Sequence, residues 1–421
     1  MDCFEIRRMY MEQKPRLLTP EEDYRFKLVE AVAFEGTIDY EEEKRKSQSS
    51  PSADENCRKI GVFSEDEAVL YGCLLYNKYR CYFDGREMLL GGVGGVATLP
   101  QYRRNGVIRT CMKFALRDMY EQGYAFSFLY PFSIQYYRKF GYEASREINV
   151  WTLPMAELPD RDMEGSVVQI FPRDSLEPLL RVYEKFYEGY NFSSVREKYS
   201  ALMEKEDMLK QRRYVFLYRD AAFKPRGFFI FHKNRGTDGV IMDCEPKFEA
   251  PNDFLFLDAK AFAEMLSFIK AAFGSRYDKL VFSTPANISL SFLLGENIEA
   301  GCERFHGGMS RVVDVKKALE MCRCKGRGQF YIGIKDAMLP ENDGIWSICF
   351  SEGQDNRVEK VGADTEGKAD ILLPINEFSA LICGDQSAED IRWMPNVVVY
   401  GKEDELGKIF YHKKCYIPEL F

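Results

Sequence analysis

Residues 96–108 read VATLPQYRRNGVI, and their types and spacing suit the holding of an anion. A strand ending near Thr98 runs into a turn at Pro100. Arg103, Arg104, Asn105 and Gly106 then precede an apolar-spaced run, which sets two guanidinium groups at a helix start. A helix N-terminus presents backbone N–H groups without intrahelical acceptors and the positive end of the dipole. Gly106 lets the backbone approach a pyrophosphate closely, and the arginines can add charge-assisted hydrogen bonds. The competing reading is a solvated, charged helix cap.

A second stretch, LYPFSIQYYRKFGYE at 129–143, crowds Tyr136, Tyr137, Phe140 and Tyr142 together. A phenol with a pKa of about 10 can donate a proton to a leaving group. Aromatics so spaced also build a core, and for Phe140 and Tyr142 that is the better reading. Adjacent helix positions do not share a face, so Tyr136 and Tyr137 point differently.

The elements that position these stretches can be read from the pattern. FEIRRMY (4–10) alternates as a first strand. Thr19, Pro20 and Glu22 form a capping box that opens a helix. The polar run at 40–56 reads as a loop or frayed helix. Strands follow from Lys59 to Leu99, with Asp84-Gly85 as a hairpin turn. A helix over about 104–121 puts Ile108, Cys111, Met112, Ala115 and Met119 on one apolar face. That position makes Cys111 a packing residue rather than a nucleophile. YAFSFL is a buried strand, and a short helix near 132–139 and a strand over 142–153 close the unit.

After a proline-bearing linker at 152–160, a similar order of elements recurs to about 284. Between Glu245 and Asp258 it holds no Arg-Arg-x-Gly turn. If this is a second copy, it has lost the phosphate loop. A third unit begins at GGMSRVVDVKKALEMC, with Val312, Val315 and Leu319 starting a helix, and continues through QFYIGIKD, IWSICF and a helix closed near Gly384. The limits expected are 1–153, 154–306 and 307–421.

Composition narrows the function classes. A length of 421 residues implies two or three domains, each with its own core. A net charge of −8 argues against a dedicated nucleic-acid binder. MDCFEIRRMY has no apolar secretion signal, and no run is long enough for a membrane span, so a cytoplasmic protein is expected. The twelve cysteines are scattered, with Cys322 and Cys324 forming only a CxC. Free thiols in a reducing compartment follow. His232, His306 and His412 lie far apart, so no metal site is expected.

Taken together, VATLPQYRRNGV and YYRKFGYE resemble the GCN5-related N-acetyltransferases. Over the full length the chain is similar to the Eis (enhanced intracellular survival) acetyltransferases. The resemblance implies an α+β fold with mixed sheets: two acetyltransferase-type domains in tandem, the second degenerate, and a C-terminal domain like a sterol carrier protein. It implies acetyl-CoA as co-substrate, no metal, a small-molecule or peptide amine as acceptor, and a homo-oligomer, a hexamer. Val96, Ala97 and Thr98 match the segment whose backbone holds the pantetheine arm and acetyl group. Arg103, Arg104, Asn105, Gly106, Val107 and Ile108 match the pyrophosphate loop. Ser133 falls near the position that closes over the cofactor. Tyr137 matches the general acid, and Phe421 the last residue, whose α-carboxylate serves as base.

Two departures stand out. Ile108 occupies a place where the broad pattern wants a small residue, which favours the Eis-like branch. Leu420 precedes Phe421, so the nearest acid is Glu419, one place further back. That leaves the acceptor's charge preference open. The alternative function is a non-catalytic acyl-CoA or lipid-binding protein working through its C-terminal domain.

Overall fold

The computed structural model describes residues 13–51, 54–196, 213–232, 254–290, 293–294, 301–362 and 369–419. The strand expected at 4–10 lies outside them. The chain forms two compact units. Among the described residues, one holds those up to Ser145 together with Gly308–Lys413, the other Arg146–Gly307 together with 414–419.

Strand β1 (Lys14–Leu17) leads through a single 3-10 turn (Pro20–Glu22) into α1 (Asp23–Ala33). The expected capping box is formed: Arg16 grips the Glu22 carboxylate, which also accepts the Thr19 N–H at 3.1 Å. The polar run at 40–56 contains a defined helix, α2 (Tyr40–Ser49), because Asp39 caps it by accepting the Glu42 N–H. Strands β2 (Cys57–Phe63), β3 (Leu70–Phe83) and β4 (Arg86–Thr98) follow as an antiparallel meander. Asp84 and Gly85 both take positive φ, 49° and 78°, which makes the tight turn between the last two.

Helix α3 (Val107–Glu121) crosses back, and β5 (Phe126–Leu129) joins β4 in parallel. The face expected to be apolar is buried: Ile108, Cys111, Met112, Ala115 and Met119 sit in one cluster with Val107 and Leu116. The helix starts three residues later than its periodicity suggests, because Arg103–Gly106 form a loop. The short α4 (Ile134–Arg138) then leads into β6 (Glu143–Pro154).

In the other unit, β7 (Ser166–Ile170), α5 (Glu177–Phe186), β8 (Arg213–Arg219), β9 (Pro225–His232), β10 (Phe254–Phe256), α6 (Ala259–Phe273) and β11 (Lys279–Pro285) repeat the strand and helix order of the first domain. Strands β10, β9, β8 and β7 form an antiparallel sheet, and β11 pairs with β6. GVIMDCE (239–245), whose apolar residues suit a further strand of this repeated order, lies outside the described residues.

Strand β12 (Gly301–Val312) corrects one expectation. Val312 does not begin a helix; residues 309–312 pair with β5 and extend the first unit's sheet. The helix, α7 (Val315–Met321), starts after Asp314 caps it. The C-terminal part then adds β13 (Arg327–Lys335), β14 (Gly344–Ser351), β15 (Arg357–Gly362) and β16 (Ile371–Pro374). Helix α8 (Ile375–Cys383), β17 (Val398–Val399) and α9 (Glu403–Ile409) complete it. The sheet order is β15-β14-β13-β16-β17. Helix α8 closes at Gly384, φ 86°, as expected of a left-handed cap.

Candidate active site

Strands β4 and β5 hold the site open. Their parallel pairing runs from Leu90↔Phe126 to Val93↔Leu129 and stops, while β4 continues beside β3 to Gly72↔Thr98. The register slips between Cys73 and Leu75, and Gly95 takes φ 56°, so β4 is bulged where it parts from its neighbour. Beyond Val93, the edge of β4 that faced β5 has no strand partner among the described residues. An extended ligand can add there as a strand would, through main-chain hydrogen bonds. Val96, Ala97 and Thr98 form this open stretch. Ala97 packs inward at 2% exposure, so its contribution is a backbone one.

The loop that follows is shaped as a cradle. Leu99 extends the ladder through its N–H to the Tyr71 carbonyl, and the Tyr102 ring packs on Tyr71 at a tilt of 44°, with centroids 4.3 Å apart. A 3-10 turn over Pro100–Tyr102 ends at Arg103, Arg104 takes φ 66°, and Gly106 takes φ 81° as the residue before α3. The first helix bond is made by the Thr110 N–H to the Gly106 carbonyl. The six consecutive N–H groups of residues 104–109 therefore have no acceptor among the described residues. Left-handed residues within such a row make an anion-binding concavity. A Cβ on Gly106 would meet nothing within 4 Å, so the space before the helix is open. Arg103 and Arg104 are exposed, and neither has a carboxylate partner among the described residues. Val107 and Ile108 bury their side chains, at 2% and 8% exposure, and can serve a ligand only through N–H groups. The large Ile108 fits because it points into the core and away from the cradle.

Gln13 touches this loop, a contact the sequence did not reveal. Its Nε2 donates to the Asn105 carbonyl at 2.8 Å, and its Oε1 accepts the Thr110 hydroxyl at 2.6 Å. It braces the loop from 92 residues away, and nothing local marks it.

The corresponding connection in the repeated domain is built differently. Between β10 and α6 stand only Leu257 and Asp258, and the Asp258 carboxylate accepts the Ala261 N–H at 2.8 Å. A carboxylate occupies the helix start that would face a phosphate, and it repels one.

Tyr137 packs into the core of the first domain. It shares a buried cluster with Val107, Ile108 and Leu129, against which Val96 also packs. Ser133 caps α4, its hydroxyl accepting the Tyr136 N–H at 3.3 Å. The three phenols of the YYRKFGY turn differ. Tyr142 is fully buried, and its hydroxyl is committed to Ser127 at 2.7 Å. Tyr136 is half-buried, with its ring against the exposed Phe132. Tyr137 is 3% exposed, yet its hydroxyl meets no hydrogen-bonding partner among the described residues. Burial, followed by the Tyr136 and Tyr142 phenols, pushes the Tyr137 hydroxyl well above the ordinary phenol range. Cys111 is a core residue, as its position implied; burial pushes its thiol far from the thiolate form.

Phe421 and Leu420 lie outside the described residues. Glu419 just before them is buried in its own unit, where its carboxylate accepts from Arg196 at 2.7 Å and Ser194 at 2.6 Å. No group of histidine, cysteine or acidic side chains among the described residues could hold a metal ion. No helix among them is long and apolar enough to cross a membrane.

Two regions of the chain match known domain families. Residues 14–145 match the acetyltransferase (GNAT) domain, and residues 315–418 match the sterol carrier protein domain. The chain is thus a mixed α/β protein that joins an acetyltransferase-type domain, a degenerate second copy and a C-terminal sterol-carrier-type domain.

Solved structures share this architecture along 97% of the chain. A "Probable N-Acyltransferase" of unknown function from Enterococcus faecalis V583 is 21% identical, is matched over 100% of its length and has a TM-score of 0.78. A GCN5-related N-acetyltransferase from Anabaena variabilis is 20% identical, with 100% of its chain covered and a TM-score of 0.75. Eis1 from Mycobacterium abscessus is 16% identical, with 100% of its chain covered and a TM-score of 0.72. At these identities the likeness is one of fold. No curated protein matches the sequence.

Proposed function

We propose that this protein is an acetyl-CoA-dependent N-acetyltransferase that acetylates a primary amine by direct attack. The observation that carries the reading is the row of six N–H groups at 104–109, flanked by Arg103 and Arg104 and followed within the same core by Tyr137. Acetyl-CoA supplies the activated acetyl group on a thiolate leaving group. The N–H row and the two arginines bind its diphosphate. The open edge of β4 at Val96–Thr98 aligns the pantetheine arm, and an N–H of that edge meets the charge that develops on the thioester oxygen. Ser133 closes over the arm from the start of α4. As the amine nitrogen bonds to the carbonyl carbon and the carbon–sulfur bond breaks, Tyr137 gives its phenolic proton to the departing sulfur. The proton released by the amine returns through solvent to the Tyr137 phenolate as the products leave.

The amine must lose a proton, and by resemblance to the Eis enzymes the α-carboxylate of Phe421 accepts it or anchors the ammonium. Extending the chain beyond Phe421 is expected to abolish turnover while leaving acetyl-CoA affinity intact; full turnover in the extended chain removes this role.

The elevated Tyr137 value gives a pH expectation. An ordinary phenol loses its proton near pH 10. Tyr137 is shifted upward, so it remains a donor through that range. The kcat profile should hold or rise to about pH 10, with no falling limb from this group. A falling limb at or below the ordinary phenol range that disappears in Tyr137→Phe contradicts the assignment.

Screening polyamines, aminoglycosides and lysine peptides for acetyl-CoA-dependent release of free thiol tests the function itself. Turnover with one or more amines is expected. Acetyl-CoA binding with no turnover on any amine favours the non-catalytic acyl-CoA carrier instead.

A further inference from the structure

A buried cation in the C-terminal part of the first unit has no role in the reaction as described. Arg311, on β12, is 0% exposed, and so is the side chain of its partner Asp336. Its Nη2 donates to both Asp336 oxygens, at 2.8 and 2.6 Å. Its Nη1 donates to the carbonyl of Phe140 at 2.5 Å. A fully buried charge is costly to desolvate, and a packed apolar pair would serve stability as well. What distinguishes this cation is where its third hydrogen bond goes.

Phe140 closes the turn that carries Tyr137. The Phe140 N–H reaches back to the Tyr137 carbonyl at 2.9 Å, and the Gly141 N–H to the Arg138 carbonyl at 3.0 Å. Gly141 has φ 84°, and a Cβ there would stand 1.6 Å from Arg311 Nη1. Glycine thus serves the turn twice, by taking the left-handed conformation and by making room for the guanidinium. On the other side, Tyr142 is tied to Ser127, the residue directly opposite Arg311 in the β5–β12 pairing. Asp336 is itself fixed by the N–H groups of Met338 and Leu339, at 2.9 and 3.1 Å, and by Asn342 at 3.0 Å. Met338 and Leu339 belong to the same buried cluster as Tyr137 and Phe140.

We infer that Arg311, oriented by Asp336, is a positioning residue for Tyr137, and that the sterol-carrier-type part of this chain supports that turn through Asp336. The inference rests on the proposed role of Tyr137 as proton donor. A misplacement of about 1 Å at a reacting group can cost about 100-fold in rate, and a pinned turn guards against that.

The test is a double-mutant cycle on the full-length chain, with Arg311→Lys, Tyr137→Phe and the double variant. It uses acetyl-CoA and whichever amine of the panel turns over fastest. Arg311→Lys is expected to lower kcat about 100-fold with little change in the KM for acetyl-CoA. In the Tyr137→Phe background the same change should cost almost nothing further. An equal loss in both backgrounds overturns the inference and leaves Arg311 a stability residue. Amide hydrogen exchange supplies a readout that needs no turnover: exchange over 134–142 should quicken in Arg311→Lys, and also in Asp336→Asn should the first variant fold poorly. Unchanged protection over 134–142 in a folded variant overturns the clamp. If Tyr137→Phe turns over like the parent chain, the acid assignment fails by itself, and the exchange measurement still decides whether the clamp exists.

Discussion

Replacing Tyr137 with phenylalanine is expected to lower kcat by about 100- to 1,000-fold, the range of a positioned general acid, while acetyl-CoA binds as before. The substitution keeps the ring that packs against Tyr136, Phe140 and Tyr142, so the buried cluster survives. It removes only a hydroxyl with no protein partner among the described residues, so no donor or acceptor is orphaned in the folded chain. The loss should therefore appear as a slower chemical step with no drop in thermal stability. The same change at Tyr142 makes a control: it breaks the Ser127 bond, and its effect should fall first on stability. If Tyr137→Phe instead loses acetyl-CoA affinity in proportion to rate, the residue shapes the binding site and a different group protonates the sulfur.

Replacing Arg103 and Arg104 together with alanine is expected to raise the acetyl-CoA Kd about 100-fold, since hydrogen bonds to charged groups are the strong ones. Both side chains are exposed and without a carboxylate partner among the described residues, so their removal leaves the core and α3 in place. Binding to the diphosphate is shared by ground and transition states, so kcat at saturating acetyl-CoA should change little. The parent's affinity should also weaken with salt more steeply than the variant's. Affinity that is indifferent to both arginines would assign the loop to an ordinary solvated cap, the competing reading that its sequence allowed.

The contrast between what the residues foretold and what they hid has a physical basis. Asp84-Gly85, the Thr19 capping box, the buried face of α3 and the cap at Gly384 are local devices, set by a few adjacent residues, and each is present. At 103–106 the residues foretold an open helix start but not its shape: Arg103–Gly106 suggested the first turn of the helix, while left-handed Arg104 and Gly106 make it a loop that leaves a longer row of N–H groups open. Strand β12 went unread because GGMSRVV has no strong alternation. Its strand character comes from pairing with β5, some 180 residues earlier in the chain. The same holds for Gln13 behind the loop and for Arg311 beneath the Tyr137 turn, whose partners lie far away in sequence. Long-range polar contacts of this kind leave no periodicity to find.

Calorimetric titration of the full-length protein with acetyl-CoA tests the central claim most directly, because every assigned role depends on the cradle at 103–108 and the open edge at 96–98. The account predicts saturable binding of one acetyl-CoA per chain, weakened by salt and by loss of the two arginines. No binding of acetyl-CoA by the folded protein would contradict it.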